Sequence, residues 1–285
     1  MPERKLFNDV RFTRSLSLWR VMTRGLGVVI VLTLFVLMGK TIAVIGSLSP
    51  VILLVAAFFL VINLLGYVEL AMSISRPGGA YPQVYEARGD WLAFLTGWAL
   101  ILASLGVGAL LTQRFALYVI IFLRQYLETS LSIWFWAGLL VLVMAINQAL
   151  GTRGRRHGQL IVAILGLILI MAIFSVPSIE LERYTFSQVD WRHMLPLLLV
   201  PFVGVEIVAS LQGDMRLANR DAPRALFLTP ILAALFSALI LVIAIGALGV
   251  ETLADSPISI VPLGSEAFGE LGKLFVLLAG ALGLA

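Results

Sequence analysis

The sequence contains no cysteine and only two histidines in its 285 residues. The absence of cysteine excludes a disulfide framework and thiolate metal sites. Both histidines, His157 and His193, follow an arginine in a polar stretch, which argues against a histidine-ligated metal site. We therefore expect no metal and no other cofactor.

Charged residues are scarce as well, since Asp, Glu, Lys and Arg make up 13% of the chain, against about 25% in average proteins. Apolar residues make up 60% of it, and the mean hydropathy is +1.03. A soluble fold of this size could not bury so much apolar surface. The composition therefore excludes a water-soluble enzyme. The sequence also offers no nucleophile–base pair or phosphate-binding loop that would indicate an enzyme.

The apolar residues are grouped in long runs, and most of these exceed the ~17–25 residues that a helix needs to cross a bilayer. Helices are expected because hydrocarbon offers no water to satisfy backbone polar groups. The pattern predicts an all-α integral membrane protein with seven or eight spans. The runs lie near residues 25–47, 50–74, 91–122, 130–150, 159–177, 195–212, 225–249 and 271–285.

The basic residues are divided unevenly between the two sides of these spans. If residues 1–24 are cytoplasmic, fourteen Lys and Arg lie inside and three lie outside. By the positive-inside rule this predicts a multi-pass protein of the plasma membrane with a cytoplasmic N-terminal segment, residues 1–24. No short apolar segment with a cleavage site follows that segment, so no cleaved signal peptide is predicted. The basic cluster at 151–157 is interpreted as an anchor against anionic lipid of the bilayer, not as a nucleic-acid site.

The eighth run differs from the others in how it stops. From Leu274 to Ala285 it has twelve uncharged residues and no polar exit. A membrane helix that ends in the middle of the hydrocarbon is not a sensible terminus. We expect this chain to be the front portion of a longer protein.

Spans one and six carry glycine and proline that a passive anchor would not need. Span one contains Gly39 and Gly46, and span six contains Pro196, Pro201 and Gly204. Broken helices at membrane depth are tolerated where they line a cavity, and inverted-repeat transporters place such a pair at corresponding positions of their two halves. The alternative is that Gly and Pro are simply common in membrane helices.

Glu206 lies inside the apolar part of span six, where an ionised carboxylate is costly. One hypothesis makes it a proton-sensitive or substrate-sensing acid on a water-filled path. The other makes it a structural partner of Lys40 or Arg114. Lys40 is interpreted as snorkelling to the interface, and Arg114 as an anchor at the outer boundary of the membrane.

Two motifs resemble the amino acid–polyamine–organocation (APC) permeases. The first is Gly66–Tyr81 (GYVELAMSISRPGGAY), followed by Ala93–Trp98 (AFLTGW). The second is Phe202–Glu206 (FVGVE) with Asn219–Ala225 (NRDAPRA). The resemblance covers nearly the whole chain, and the two motifs together are specific.

The resemblance implies an APC-type, LeuT-like inverted-repeat helix bundle. Residues 25–180 would form the complete first repeat of five spans, and residues 195–285 the partial second repeat, spans six to eight. It also implies a secondary transporter that carries an amino acid or a related small amine by alternating access, with proton linkage as one option. No catalytic residue is implied.

In such a bundle the substrate lies between the broken first and sixth helices, where helix ends suit the carboxylate and the amine of a zwitterion. The implied substrate-binding residues are Val31, Leu32, Thr33, Phe202, Val203 and Gly204, and the implied gating or proton-linked group is Glu206. Val31 and Leu32 stand where the family has small residues, so the break in span one is expected to be narrower. Two alternatives remain: a permease-like sensor or receptor that binds an amino acid without net transport, and a non-functional fragment of a permease.

Overall fold

The computed structural model describes residues 16–73, 79–126, 131–149, 157–184 and 191–284. These residues are almost entirely helical, with one isolated bridge between Leu16 and Met215, which confirms the predicted all-α class. The α-helices are α1 Leu18–Ile30, α2 Met38–Ile45, α3 Ser49–Ser73, α4 Ala80–Arg88, α5 Asp90–Tyr126, α6 Ile133–Ala149, α7 His157–Ser175, α8 Trp191–Leu199, α9 Val205–Ser210, α10 Ala218–Leu248, α11 Val250–Asp255 and α12 Ile260–Leu284.

Several helical stretches are long and apolar enough to cross a membrane. Among the described residues these are Leu18–Glu69, Asp90–Gln125, Ala218–Leu248 and Ile260–Leu284, with Ile133–Ala149 and Gly166–Ser175 as shorter apolar helices. The first stretch has 52 residues, which would make about 78 Å of continuous helix against a hydrocarbon thickness of about 30 Å. Gly46, with φ 68° and ψ −146°, ends α2 and divides this stretch into two crossings.

The helix boundaries differ from the predicted spans in three places. Span one begins at Leu18, because Arg20 and Arg24 lie within α1 instead of ending it. The short helix α4 was not predicted, since its mixed polar sequence carries no span signal. A first part of α12, residues 260–267, was not predicted; the non-helical residues Phe268 and Gly269 (φ 61°) separate it from the part that begins at residue 270, close to the predicted start of the eighth span.

The bundle is organised around span one. Helix α1 packs on α7, α9 and α10, while α10 also packs on α3, and α12 packs on α5 and α7. A Cβ on Gly25 would lie 2.5 Å from Val208 Cγ2 and 2.8 Å from Thr229 Cγ2, so α1 approaches α9 and α10 as closely as glycine allows. Small residues permit this kind of backbone approach in membrane helices. Large apolar side chains on the outer faces are exposed, as lipid-facing positions require, including Phe58, Leu102 and Trp134.

Hydrogen bonds to main-chain groups tie parts of the chain together at both ends of the bundle. At the end where the described chain begins, called here the N-terminal end, Leu16 N donates to Asp214 O (3.0 Å) and Arg216 N donates to Leu16 O (3.1 Å). At the opposite end, the Tyr184 hydroxyl donates to Val242 O (2.7 Å). Burial raises the pKa of the Tyr184 phenol, which keeps this hydroxyl protonated as a donor.

Candidate functional site

Span one is interrupted by a π-helical segment, Val31–Leu37, that separates α1 from α2. All seven residues of this segment are buried. A π-helical turn shifts the main-chain hydrogen bonds by one residue, and such turns often occur at functional sites. The interruption begins at Val31, the first residue of the triplet in which the sequence places the break.

The π-helical segment has a hydrogen-bond partner on another span. Tyr118 of α5 is fully buried, and its hydroxyl donates to Phe35 O at 3.2 Å. The rings of Phe35 and Tyr118 lie 6.0 Å apart. Gly280 of α12 contacts the Tyr118 ring so closely that a Cβ at that position would overlap it. Sequence reasoning missed Tyr118, and the only available signal was a phenol inside an apolar run.

The three candidate substrate residues of span one are packed in this structure. Val31, Leu32 and Thr33 are 7%, 0% and 5% exposed. The Thr33 hydroxyl donates to Val29 O (2.7 Å), one helical turn back, so it is used within its own helix. A substrate would reach these residues only if span one moved relative to its neighbours.

Span six is interrupted by a 3₁₀ segment, Val200–Gly204, between α8 and α9. Pro201 brings no N–H to the helical ladder, which favours a break here. Phe202 and Gly204 are buried and Val203 is half-buried. A Cβ on Gly204 would lie 2.8 Å from Val28 Cγ1, so span six meets span one with no room for a side chain.

The two interruptions contact each other. The segment Val200–Gly204 packs against both α1 and Val31–Leu37. The structure therefore brings the candidate residues of span one and those of span six to one place in the bundle.

Glu206 lies in the first turn of α9 and is half-buried. Its Oε2 atom is 4.0 Å from the position of a Cβ on Gly79, and the Tyr67 hydroxyl is 3.7 Å from that same position. The Tyr67 hydroxyl is buried and makes no hydrogen bond within the described ranges. Glu206 forms no ion pair with Lys40 or Arg114, each of which lies in a described part of the chain.

Lys40 and Arg114 instead line one cavity together. Arg114 Nη1 donates to Pro257 O (3.2 Å), in the connection between α11 and α12. This shared cavity was not predicted from the sequence, and the interfacial positions expected for the two cations stay a prediction. Their spacing along separate helices predicts a depth in the membrane but not that both face the same space.

An all-α bundle with several apolar spans and two interrupted helices in contact defines a membrane protein that crosses the bilayer several times. The profile of the amino acid permease family matches residues 16–285. The chain belongs to this family, which confirms the resemblance to the APC permeases.

A curated relative supports the same family. The branched-chain amino acid permease BcaP of Bacillus subtilis (strain 168) is 22% identical over 276 residues, a match that covers 87% of this chain and 58% of the relative. The chain thus spans 58% of the length of the curated relative that it matches.

Proposed function

We propose that this chain acts as a secondary transporter of amino acids or related small amines in the plasma membrane, with its N-terminal segment in the cytoplasm. Membership of the amino acid permease family supports transport over an enzymatic role. The observation that carries the proposal is the contact between the two interrupted segments, Val31–Leu37 and Val200–Gly204. Irregular backbone at membrane depth is tolerated where it serves a site.

The proposed substrate site lies between these segments. Interrupted helices present the positive end of one helix and the negative end of another, and these suit a carboxylate and an ammonium group. The proposed lining consists of Val31, Leu32, Thr33, Phe202, Val203 and Gly204. Most of these side chains are apolar, which favours an aliphatic amino acid, and the relative is named as a branched-chain amino acid permease.

The packing between spans supports an inverted repeat of residues 25–180 and 195–285. Span one contacts span six, α3 of span two contacts α10 of span seven, and α5 of span three contacts α12 of span eight. Each contact joins elements five spans apart, which a repeat of five related by a two-fold axis would produce. In the proposed cycle the two repeats rock around the shared site.

Glu206 is the proposed gating or proton-linked group. It follows the break in span six directly, so a change in its charge would act on the segment that contacts span one. The nearby Tyr67 hydroxyl, which lacks a hydrogen-bond partner in the described structure, is a donor that an ionised Glu206 would attract when the two approach.

Leucine counterflow tests the transport proposal. The purified chain is placed in liposomes loaded with unlabelled leucine, and entry of radiolabelled leucine is followed over time. We expect transient accumulation that excess unlabelled leucine outside suppresses and that leucinol, which lacks the carboxylate, does not. Liposomes without protein are the control for leak.

A sensor or receptor role is the second candidate, and the complete burial of Leu32 favours it, because a packed site resists the rearrangement that transport needs. Saturable leucine binding by calorimetry without counterflow would support the sensor and contradict transport. Absence of both binding and counterflow would leave the chain as a non-functional fragment of a permease.

A further inference from the structure

We infer that the cavity shared by Lys40 and Arg114 is a second binding site, which takes the carboxylate of an amino acid at the opposite end of the bundle from Leu16. The inference rests on the proposed transport of amino acids for the identity of its ligand. The cavity adjoins the π-helical segment Val31–Leu37, but none of its described lining residues belongs to Val200–Gly204.

The cavity is bounded by three parts of the fold. Its described lining comes from the end of the π-helical segment and the start of α2, from α5, and from the connection between α11 and α12. It has a volume of about 70 Å³, whereas a single water needs roughly 10–15 Å³ by the same measure. A carboxylate group therefore fits together with water.

The charges that face this cavity are of one sign. Lys40 and Arg114 line it, and no Asp or Glu is found among its described lining residues. Glu251 and Asp255 lie close by on α11, but both are exposed and neither lines the cavity. Two cations without a carboxylate repel each other, and a bound anion removes that repulsion.

The donors of the cavity remain available for a ligand. Arg114 uses Nη1 for Pro257 O and has five N–H groups in all. Lys40 makes no hydrogen bond or ion pair with residues in the described ranges. Ser259 is 6% exposed and lines the same cavity, and its hydroxyl contacts Gly39. A carboxylate can accept from all three side chains at once, as its two oxygens offer about four lone-pair positions.

The position of the cavity connects it with the proposed substrate site. Leu34 and Phe35 of the π-helical segment form part of its lining. Phe35 also receives the hydrogen bond from Tyr118 through its carbonyl oxygen. An amino acid held by its carboxylate here would lie next to the interruption of span one, with its ammonium group directed away from the two cations.

Chemical modification of Lys40 tests this site, because the chain contains only three lysines, Lys5, Lys40 and Lys273. The purified chain is pulsed with an amine-acetylating reagent, and the acetylation of each lysine is read by mass spectrometry. We expect leucine at ten times its dissociation constant to slow acetylation of Lys40 by roughly tenfold, as mass action requires. Lys273, which does not line the cavity, is the internal control and stays unchanged.

Two further probes define the ligand chemistry. Leucinol lacks the carboxylate and is expected to give no protection, so equal protection by leucinol would overturn the inference. Sulfate tests whether the site binds a free inorganic anion instead of the carboxylate of an amino acid. Protection of Lys40 by sulfate but not by leucine would overturn the assignment to an amino acid.

Variants on α5 separate direct binding from a remote conformational effect. Arg114→Gln is expected to abolish protection of Lys40 by leucine, whereas Arg124→Gln, on the same helix but outside the cavity lining, retains it. Arg114→Lys keeps the charge and is expected to retain partial protection, which guards against a variant that fails to fold. Protection that survives Arg114→Gln in folded protein would refute the site.

Leucine counterflow is measured in the same preparations. Counterflow without protection of Lys40 contradicts the anion site and leaves the proposed transport intact. Protection without counterflow supports the anion site and removes the transport proposal.

Discussion

At the scale of single residues, Glu206 has surroundings that a buried structural acid would not have. It has no cationic partner among the described residues, and its neighbours across the bundle are Gly79 and the Tyr67 hydroxyl. A carboxylate that is neither paired nor fully exposed in an apolar span is costly to retain. That cost favours a functional explanation over a structural one.

Substitution of Glu206 by Gln is expected to flatten the pH dependence of leucine counterflow while the protein stays folded. If one proton on Glu206 is coupled to transport, the wild-type rate changes by up to about tenfold per pH unit across the titration of this carboxyl group. The amide that replaces it in the variant cannot titrate, so the rate of the variant should not show this change. Counterflow measured between about pH 5 and 8 is the readout, since this window covers the usual range of such switches.

The matched control for this prediction is Glu251→Gln, because Glu251 is exposed on α11 at the other end of the bundle. It is expected to keep the wild-type profile. A Glu206→Gln variant with an unchanged pH profile would show that the carboxylate has no proton-linked role.

The sequence predicts some of these residues and not others. Glu206 could be predicted because a charged residue inside an apolar run is recognisable from the sequence alone. Tyr67 and Tyr118 could not, since a phenol becomes informative only when its hydroxyl partner on another span is known. The shared cavity of Lys40 and Arg114 depends on how α2 and α5 are rotated about their axes, which spacing along each helix does not determine.

At the scale of elements, the two interruptions have different physical causes. In span six, Pro201 removes a main-chain donor and a 3₁₀ segment results. In span one, no Pro or Gly lies between Val28 and Met38, and the interruption is a π-helical segment. The Tyr118 hydroxyl on Phe35 O stabilises that segment. The location of each break was predictable from the sequence. The kind of helix at the break in span one was not, because it depends on the contact between Tyr118 and Phe35.

Gly204→Ala tests the close approach of spans one and six. The new methyl group would overlap Val28, and overpacking of this kind costs about 1–3 kcal/mol. We expect a lower thermal unfolding midpoint and a reduced rate of leucine counterflow.

Gly108→Ala is the control for this substitution. It makes the same change in a membrane helix, but nothing lies within 4 Å of the added Cβ. It is expected to leave both the unfolding midpoint and counterflow near wild-type values. If the two variants had the same unfolding midpoint and the same counterflow rate, the close contact between Gly204 and Val28 would not be present in the membrane.

At the scale of the whole molecule, the distribution of basic residues predicts which end of the bundle faces the cytoplasm. Of the basic residues that the sequence assigns to inside segments, several described ones lie near the end where Leu16 and Met215 meet: Arg20 and Arg24 on α1, Arg216 beside Met215, and Arg220 and Arg224 in the first two turns of α10. Charge bias of this kind orients multi-pass proteins during insertion. The helix bounds alone are compatible with either orientation.

Cysteine labelling in intact cells checks the orientation, and the chain has no cysteine of its own to interfere. Ser17→Cys and Asp255→Cys each introduce one thiol at an exposed position, at the N-terminal and the opposite end respectively. A membrane-impermeant maleimide added outside is expected to label only the cysteine at 255. Labelling at 17 and not at 255 would reverse the proposed topology, and permeabilised cells give the control for reactivity of both thiols.

The bridge between Leu16 and Met215, called here the latch, joins the start of span one to the chain that follows span six through two main-chain hydrogen bonds. Any motion that separates these two points must exchange both main-chain bonds, Leu16 N to Asp214 O and Arg216 N to Leu16 O, for water. A net loss of about 0.5–1.5 kcal/mol for each bond biases this end toward its closed form. Because the bonds involve only backbone atoms, side-chain substitutions at Leu16 and Met215 preserve the latch, whereas a proline at Leu16 would remove the donor of one bond.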